Sequence, residues 1–318
     1  MISNRSIAIC LLEILKEYSD EQHILSMSEL ISKFTAYDMK PDRRTVYSAI
    51  EVLAQLGYDI STYEENGKGY YLREREFETS EVMLLTDAVY SFPFLPAKQS
   101  EQLIQKLQKQ LSVHQRKAYK HLTVARSDRK TDNRQVFWNI STLDDAIASG
   151  KQVSFAYMQY DMDKQLHPRR EKPYIVNPYG MVYMNEHYYL ICNLDGYPNT
   201  SLYRIDRIRD IEVLNKPLNK MPYNSDEVQD AVYAFSGSPE RIVMHCNKLI
   251  LGDVIDRFGT AIQITEKDDD YFTARFTAPA RGIKFWALQY LPYVEVTEPE
   301  WLREEIISSV KQNMYGVE

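Results

Sequence analysis

Residues 177–209, NPYGMVYMNEHYYLICNLDGYPNTSLYRIDRIR, contain two aromatic β-type runs followed by a dense basic cluster. Arg204, Arg207 and Arg209 stand close together there, with Asp206 among them. Burying a charge is costly unless the charge is paired, so a strand that serves only the core has no need of so many guanidinium groups. The cluster therefore predicts a site for an anionic ligand.

The residues around this stretch favour a small barrel or a strongly curved sheet. From residue 152 the runs QVSFAYM, KPYIVNPYGMVYM, HYYLICNL and RDIEVL are aromatic and β-branched, and turn residues separate them. Asp206 can hold one arginine in a bidentate pair and leave another free for a phosphate. The tyrosines nearby offer rings for stacking bases, or are half-buried strand residues. They are Tyr157, Tyr179, Tyr183, Tyr188, Tyr189 and Tyr203.

A second basic group opens the best-defined predicted helix, for which Asp42 is a suitable N-cap and Gly57 a stop. Apolar residues at helical spacing form its inner face, namely Val46, Ala49, Ile50, Leu53 and Leu56. Two earlier helices and a hairpin, with strands at 58–60 and 70–72 around an Asn-Gly turn, complete the pattern of a winged helix-turn-helix.

Arg43 and Arg44 stand in the first turn of that helix, where they oppose the helix dipole, so helix stability does not explain them. Arginine can grip phosphate or guanine, and hydroxyl groups can donate to phosphates or base edges. The predicted DNA-binding residues are Arg43, Arg44, Thr45, Tyr47, Ser48 and Lys68, the last at the hairpin tip. The alternative is that the two arginines neutralise Asp42 or Glu51.

The remaining segments predict a multidomain α+β chain. A helical connector over about 79–125 breaks at Pro93 and Pro96, and a polar linker follows the aromatic strands and carries a short helix. Helices and strands then alternate, which is typical of a compact α+β sandwich. The predicted domains are a winged helix-turn-helix (1–74), the connector (75–135), an effector-sensing domain (136–217), the linker (218–239) and a C-terminal extension (240–318).

The composition fits a folded chain of 318 residues, with 44% hydrophobic and 26% charged residues. The net charge of −7 means that any DNA contact must come from local clusters of basic residues. Cys10, Cys192 and Cys246 are widely separated within apolar runs, which predicts reduced core thiols in a cytoplasmic protein. The sequence shows no catalytic motif, no metal-ligand spacing, no cofactor fingerprint and no membrane-spanning run.

HYYLICNLDG followed by SLYRIDRIRDIEVL resembles the core signature of the WYL-domain transcriptional regulators, with Tyr188-Tyr189-Leu190 at the position of the Trp-Tyr-Leu triplet. The segment LQYLPYVEVTEPEWLREEI is similar to the family's closing strand and helix. The resemblance covers nearly the whole chain. It implies a small Sm-like or SH3-like barrel that senses a nucleotide or nucleic-acid ligand, and a winged helix that binds operator DNA as a homodimer.

The same resemblance suggests which residues contact the effector. Tyr203, Arg204, Asp206 and Arg207 match the family's aromatic or apolar residue-Arg-x-Asp-Arg run. The family also supplies basic residues before the strand that leads into Asn177. The predicted effector-binding residues are Arg169, Arg170, Tyr188, Tyr203, Arg204 and Arg207.

The leading hypothesis is a DNA-binding, ligand-responsive transcriptional regulator without catalytic activity. Its expected partners are operator double-stranded DNA, a nucleotide or single-stranded nucleic-acid effector, and a second copy of the chain. One alternative is an enzyme acting on nucleotides or nucleic acid, with the same arginines as phosphate clamps. The other is an adaptor whose winged helix contacts protein.

Overall fold

A computed structural model describes residues 4–118, 130–219, 239–266 and 268–314. The chain divides into two compact units, Met1–Arg134 and Gln135–Glu318, and each combines helices with strands. The predicted helix beyond residue 118, and the linker helix predicted within 218–239, lie outside the described residues. The assignments as winged helix-turn-helix, Sm-like or SH3-like barrel and sandwich, with the five domain boundaries, stay predictions.

The first unit contains seven described helices and two short strands. The helices are α1 (Asn4–Tyr18), α2 (Met27–Lys33), α3 (Arg43–Gln55), α4 (Tyr63–Asn66), α5 (Thr79–Ser91), α6 (Ala97–Gln108) and α7 (Val113–Ala118), and the strands are β1 (Ile60–Ser61) and β2 (Tyr71–Leu72). Leu11, Ile14 and Leu15 of α1 are fully buried, in one cluster with Leu30 and Phe34. The apolar stripe of α1 therefore organises this core.

Helix α3 begins as the sequence predicts, because Asp42 Oδ1 accepts a hydrogen bond from the Thr45 amide at 2.8 Å. The inner face is also as predicted, with Val46, Ala49, Ile50 and Leu53 buried. Leu56 is the exception and is 69% exposed, so the expectation that it faces the core is wrong. The helix ends at Gln55, and Gly57, with φ of 94°, then reverses the chain, so the helical period no longer applies at Leu56.

Strands β1 and β2 pair antiparallel, with Ile60 opposite Leu72, so the predicted hairpin is present. Its first strand begins two residues later than expected, and the one-turn helix α4 occupies part of the connection. A further bridge joins Leu25 to Tyr70. The hairpin is therefore tied to the segment that precedes α2.

The connector helices pack within the first unit. Helix α5 ends at Ser91 and α6 begins at Ala97, so the chain breaks at the predicted prolines. The Arg75 guanidinium donates to the carbonyl oxygens of Lys16, Ser19 and Gln110 at 2.6–3.1 Å. These bonds hold the start of the connector against the end of α1.

The second unit begins with a helix on a six-stranded antiparallel sheet. The elements are α8 (Val136–Ser149), β3 (Lys151–Tyr160), β4 (Leu166–Pro168), β5 (Tyr174–Met184), β6 (His187–Leu194), β7 (Thr200–Arg204) and β8 (Ile208–Pro217). The strand order is β4-β3-β5-β6-β7, and β8 pairs with β3. The sequence patterns did not identify α8, β4 or β7.

The sheet is curled, because its edge strands β7 and β8 meet at the short 3₁₀ turn Ile205–Arg207. The Arg204 amide donates to the Tyr157 hydroxyl at 3.2 Å, which links β7 to β3. From α8, Asn139 Nδ2 donates to the Ile208 carbonyl oxygen at 2.9 Å. Both bonds fix the turn that carries the basic cluster.

The end of the chain forms a four-stranded antiparallel sheet in the order β10-β11-β9-β12, with three helices. Its elements are β9 (Pro239–Asn247), α9 (Leu251–Phe258), β10 (Gln263–Glu266), β11 (Tyr271–Pro279), α10 (Ala280–Gln289), β12 (Val294–Glu298) and α11 (Glu300–Lys311). Each corresponds to a helix or strand that the periodicity predicts. Among the described helices, none combines the length and the apolar character that a membrane crossing requires.

Candidate nucleic-acid and effector sites

The first basic surface lies at the N-terminal end of α3. Arg43 and Arg44 are exposed there, and neither guanidinium forms an ion pair or a hydrogen bond within the described part of the chain. The Asp42 carboxylate instead caps the N-terminus of α3, where a hydrogen bond from the Thr45 amide lowers the pKa of the carboxyl group. Glu51 is exposed and pairs with neither arginine. No ion pair joins either arginine to Asp42 or Glu51 among the described residues, although the charge of Arg44 contributes to lowering the pKa of Asp42.

The other residues predicted to bind DNA adjoin this end of the helix. Tyr47 is 48% exposed, and its ring lies 6.4 Å, edge to face, from the ring of Tyr70 in the hairpin. Burial and the neighbouring Tyr47 raise the pKa of Tyr70 to about 12. This contact joins the helix to the hairpin. Ser48 is exposed, whereas Thr45 is half-buried.

Lys68 is exposed between α4 and β2. Its position is set by Asn66, whose Oδ1 accepts from the backbone amides of Lys68 at 2.6 Å and Gly69 at 2.8 Å. The Lys68 side chain is thus presented from an ordered turn. DNA contact by all six predicted residues stays a prediction.

The second basic surface is the turn between β7 and β8, and its three arginines are not equivalent. Arg204 forms a bidentate pair with Asp206, with Nε–Oδ1 at 3.1 Å and Nη2–Oδ2 at 2.7 Å. The Asp206 side chain is 5% exposed and that of Arg204 is 24% exposed. Burial alone would lower the pKa of Arg204, but the pair with Asp206 raises it. Arg204 therefore has a structural partner already.

Arg207 is different. Its Nε is buried and has no hydrogen-bond partner within the described residues. Its guanidinium carbon lies 5.6 Å from the centroid of the Tyr160 ring, which is 56% exposed. Arg209 turns back on the same loop and donates to the Asp206 carbonyl oxygen at 3.1 Å. Of the three arginines, Arg207 is thus the one whose guanidinium forms no hydrogen bond or ion pair within the described residues.

His187, which the sequence interpretation did not include, belongs to this cluster. Tyr189 lies opposite Arg204 in the β6–β7 pair, so the same register brings His187 to the level of Asp206. Its Nδ1 is buried without a hydrogen-bond partner in the described chain. Burial lowers the pKa of His187, and Arg204 and Arg207 lower it further while Asp206 opposes them. Tyr160 was missed in the same way, because the predicted strand ends at Met158 whereas β3 continues to Tyr160.

Arg169 and Arg170 follow β4, and their backbone joins the edge of β3, where the Arg169 amide donates to the Tyr157 carbonyl oxygen at 2.8 Å. The Arg170 guanidinium lies 3.6 Å from the centroid of the Tyr174 ring and donates to the carbonyl oxygens of Lys172 and Pro173, each at 2.9 Å. Arg169 is the freer of the two, because no side-chain bond holds it among the described residues.

The two tyrosines predicted to contact the effector differ in accessibility. Tyr203 is 7% exposed and packs in the core, with its ring 4.9 Å from Tyr157 and 5.3 Å from Tyr174. Burial raises its pKa to about 12. Tyr188 is half-buried, 5.4 Å from the ring of Tyr183. Effector contact by either residue stays a prediction, and Tyr203 has little surface to offer.

No group of three or more histidine, cysteine or acidic side chains suited to a metal ion occurs within the described ranges. The three cysteines are free thiols, with Cys192 and Cys246 buried and Cys10 partly buried. The chemistry observed in these sites is hydrogen bonding, charge and aromatic contact.

Comparison with protein families gives two matches, the WYL domain over residues 139–213 and the WCX domain over residues 238–313. No curated protein matches the sequence. The WYL match contains both Arg204 and Arg207 as well as His187.

Two solved structures are similar to the chain at low identity. Proteasome accessory factor B/C (PafBC) of Arthrobacter aurescens is 15% identical, with 97% of this chain and 48% of that chain covered and a TM-score of 0.27. A CRISPR Cas-related protein is 14% identical, with 97% and 84% covered and a TM-score of 0.37. The chain spans about half the length of the PafBC protein. The two domain matches bear out the resemblance drawn from the sequence: the chain contains a WYL domain over residues 139–213, followed by a WCX domain over residues 238–313.

Proposed function

We propose that this protein is a DNA-binding transcriptional regulator whose WYL domain binds an anionic nucleotide or nucleic-acid effector. The observation that carries the proposal is the pair of exposed arginines in the first turn of α3, whose guanidinium groups form no ion pair or hydrogen bond with a carboxylate within the described chain. Two guanidinium groups in the first turn of a helix are disfavoured by the helix dipole. A phosphate backbone offers the compensating charge.

In this proposal α3 enters the major groove by its N-terminal end. Arg44, Tyr47 and Ser48 read or position base pairs, while Arg43 and Lys68 neutralise phosphates. Thr45, half-buried beside Asp42, contributes to positioning. The contact between Tyr47 and Tyr70 keeps the helix and the hairpin on one rigid support. The protein acts in the cytoplasm as a homodimer, so its operator has two half-sites.

The effector site is the turn between β7 and β8. Arg207 grips an anionic group, Arg204 holds the turn in place through Asp206, and the exposed ring of Tyr160 accepts a stacked base. Arg169, Arg170 and Tyr188 extend the site. Effector binding must favour one state of the protein over another, because a ligand with equal affinity for both would switch nothing. No catalytic step is part of this function.

The test of DNA binding is fluorescence anisotropy with duplexes from the gene's own upstream region, repeated over a series of salt concentrations. The logarithm of affinity should fall steeply with the logarithm of salt concentration. Arg43→Ala combined with Arg44→Ala should weaken binding and reduce the slope by about one for each phosphate that the variant no longer neutralises. Arg281→Ala, which removes an exposed arginine from the second unit, is the control for net charge.

Equal binding by the double variant and by the Arg281→Ala protein would contradict the role given to α3. Absence of any duplex binding by the intact protein, together with protein partners that bind through this helix, would favour the adaptor instead. Turnover of a nucleotide or an oligonucleotide would favour the enzyme.

A further inference from the structure

Two buried polar atoms that lack hydrogen-bond partners among the described residues belong to one cluster of charges in the WYL domain, and together they indicate what kind of anion it binds. They are Nε of Arg207 and Nδ1 of His187. Buried polar atoms in folded proteins nearly always have a hydrogen-bond partner. Two unsatisfied atoms in one cluster of charges therefore point to a group that supplies acceptors when it is bound.

The charges around His187 set the formal charge of that group. Arg204 faces the imidazole from β7, and Arg207 and Asp206 face it from the turn between β7 and β8. Glu186 precedes His187 in the turn between β5 and β6. Asp206 neutralises Arg204 through the bidentate pair, and Glu186 is exposed, so solvent screens it. Among the described charged groups that act on His187, Arg207 is then the one positive charge that no ion pair neutralises while His187 is neutral. When His187 is protonated, its imidazolium adds a second positive charge beside Arg207.

We propose that this site binds the terminal phosphate of a nucleotide or single-stranded oligonucleotide, with Arg207 and His187 as its donors and Tyr160 beside them for the adjoining base. The inference rests on the proposed function and names the effector's chemical class. A phosphomonoester carries close to two negative charges near neutral pH, because its second pKa is about 6. An internal phosphodiester carries only one. The site with an imidazolium therefore matches the monoester in charge.

Tyr160 supports this choice by its position. Its ring is 56% exposed and lies 5.6 Å from the Arg207 guanidinium carbon, so a base next to the bound phosphate can stack on it. A second aromatic ring, that of Tyr189, has its centroid 6.5 Å from that of the His187 ring. An aromatic platform beside an anion site suits a nucleotide better than inorganic phosphate.

The experiment measures fluorescence anisotropy of the full chain with short oligothymidylates that carry a phosphate or a hydroxyl at one end and the dye at the other, for both polarities. We expect a terminal phosphate at one end to tighten binding about tenfold or more. His187→Gln and Arg207→Gln should each abolish this preference. His167→Gln is the matched control, because that histidine is exposed and pairs with Asp161 at 2.6 Å.

The preference for the phosphate should also decline as pH rises from about 6.5 to about 8, because binding requires a proton on His187. In the His187→Gln protein it should not vary with pH over this interval. Thymidine monophosphate as a competitor separates the two sources of the phosphate: displacement of the oligonucleotide by the mononucleotide indicates a nucleotide effector, and failure to displace it indicates an oligonucleotide.

Tight binding with no difference between phosphate and hydroxyl ends would overturn the inference and leave the proposed function standing. A phosphate preference that survives in the His187→Gln protein would overturn the role of this residue. If no oligonucleotide or nucleotide binds to the intact protein at all, the effector part of the proposed function fails as well. Unfolding in urea checks that the variants are folded.

Discussion

At the scale of single residues, neighbouring arginines in one sequence run have different roles. Arg204 and Arg207 are three positions apart, yet one is bound by a buried carboxylate and the other has a buried nitrogen without a partner among the described residues. The difference follows from side-chain direction: Arg204 ends a strand on the face of Asp206, while Arg207 lies at the end of the 3₁₀ turn. A shared charge therefore does not mean a shared function.

Arg204→Ala should destabilise the protein, whereas Arg207→Ala should not. Removal of Arg204 takes the bidentate guanidinium away from the buried Asp206 carboxylate, which costs about 3 kcal/mol. Removal of Arg207 breaks no hydrogen bond observed in the described chain, so its cost should stay below about 1 kcal/mol. The measurement is the free energy of unfolding in urea. Effector binding, measured in parallel, should disappear in the Arg207 variant although that variant stays folded.

The double variant Arg204→Ala with Asp206→Asn is the control for this prediction. It should regain most of the stability that Arg204→Ala removes, because no unpaired charge remains buried. If Arg204→Ala alone proves as stable as the natural sequence, the pair with Asp206 does not hold the turn.

At the scale of elements, the hairpin of the first unit depends on one close backbone approach. A methyl group at Gly69 would lie 2.2 Å from the carbonyl oxygen of Leu25. That oxygen accepts from the Tyr70 amide at 2.8 Å, so the bridge between Leu25 and Tyr70 needs a residue without a side chain beside it. The hairpin in turn orders Lys68 and packs Tyr70 on Tyr47.

Gly69→Ala should therefore cost about 3 kcal/mol of stability in urea unfolding and weaken DNA binding as well. Gly67→Ala is the matched control in the same loop. Nothing lies within 4 Å of a methyl group there, and its φ of 68° adds only backbone strain, which costs about 1 kcal/mol. Similar losses of stability in the two variants would mean that the approach to Leu25 does not matter.

The packing of α7 should make the first unit sensitive to acid. The His114 ring stacks on His23 with centroids 3.6 Å apart, and burial, followed by His23, lowers the pKa of His114. Asp20, Lys117 and Lys33 also face it, and the lysines add to the lowering. Because the folded pKa lies below the unfolded value of about 6.5, stability is complete above that pH and declines as the pH falls towards the folded pKa.

We expect His114→Phe, which keeps a ring in the stack but cannot take up a proton, to lose less stability than the natural sequence between about pH 7 and about pH 5. The measurement is the free energy of unfolding at a series of pH values. Burial alone would raise the pKa of Asp20, but hydrogen bonds from Ser112 and His23 lower it. Asp20 therefore contributes acid sensitivity to both proteins. An identical pH dependence for the two proteins would mean that protonation of His114 does not contribute to the acid sensitivity.

At the scale of the whole molecule, the proposed function requires that effector and operator influence each other. By linkage, the factor by which the effector changes operator affinity equals the factor by which operator changes effector affinity. We expect a factor of about tenfold in titrations done in both orders. Arg207→Gln should remove the coupling and leave binding to bare operator unchanged.

The homodimer is tested at the same scale by light scattering coupled to size exclusion, without and with operator. A dimer should occupy a palindromic operator at one dimer per duplex, and half-sites should bind much more weakly. A monomer that binds a single half-site with full affinity would contradict the homodimer and leave the contacts of α3 unaffected.

The sequence by itself determined the features that depend on local order. Periodicity and the Asp42 cap located α3 and most of its inner face, strand patterns located β9 to β12, and one run of residues with Tyr188-Tyr189-Leu190 identified the WYL domain. Such signals need only neighbouring residues, because helix and strand periods are properties of short segments.

The tertiary structure alone decided which side chains are available. Only the β6–β7 register brings His187 beside Arg204 and Asp206, and only the curled sheet buries Tyr203 while leaving Tyr160 exposed. Leu56 is exposed because α3 ends one residue before it. Burial and pairing depend on residues distant in the sequence, whose approach is set by strand register and chain reversal.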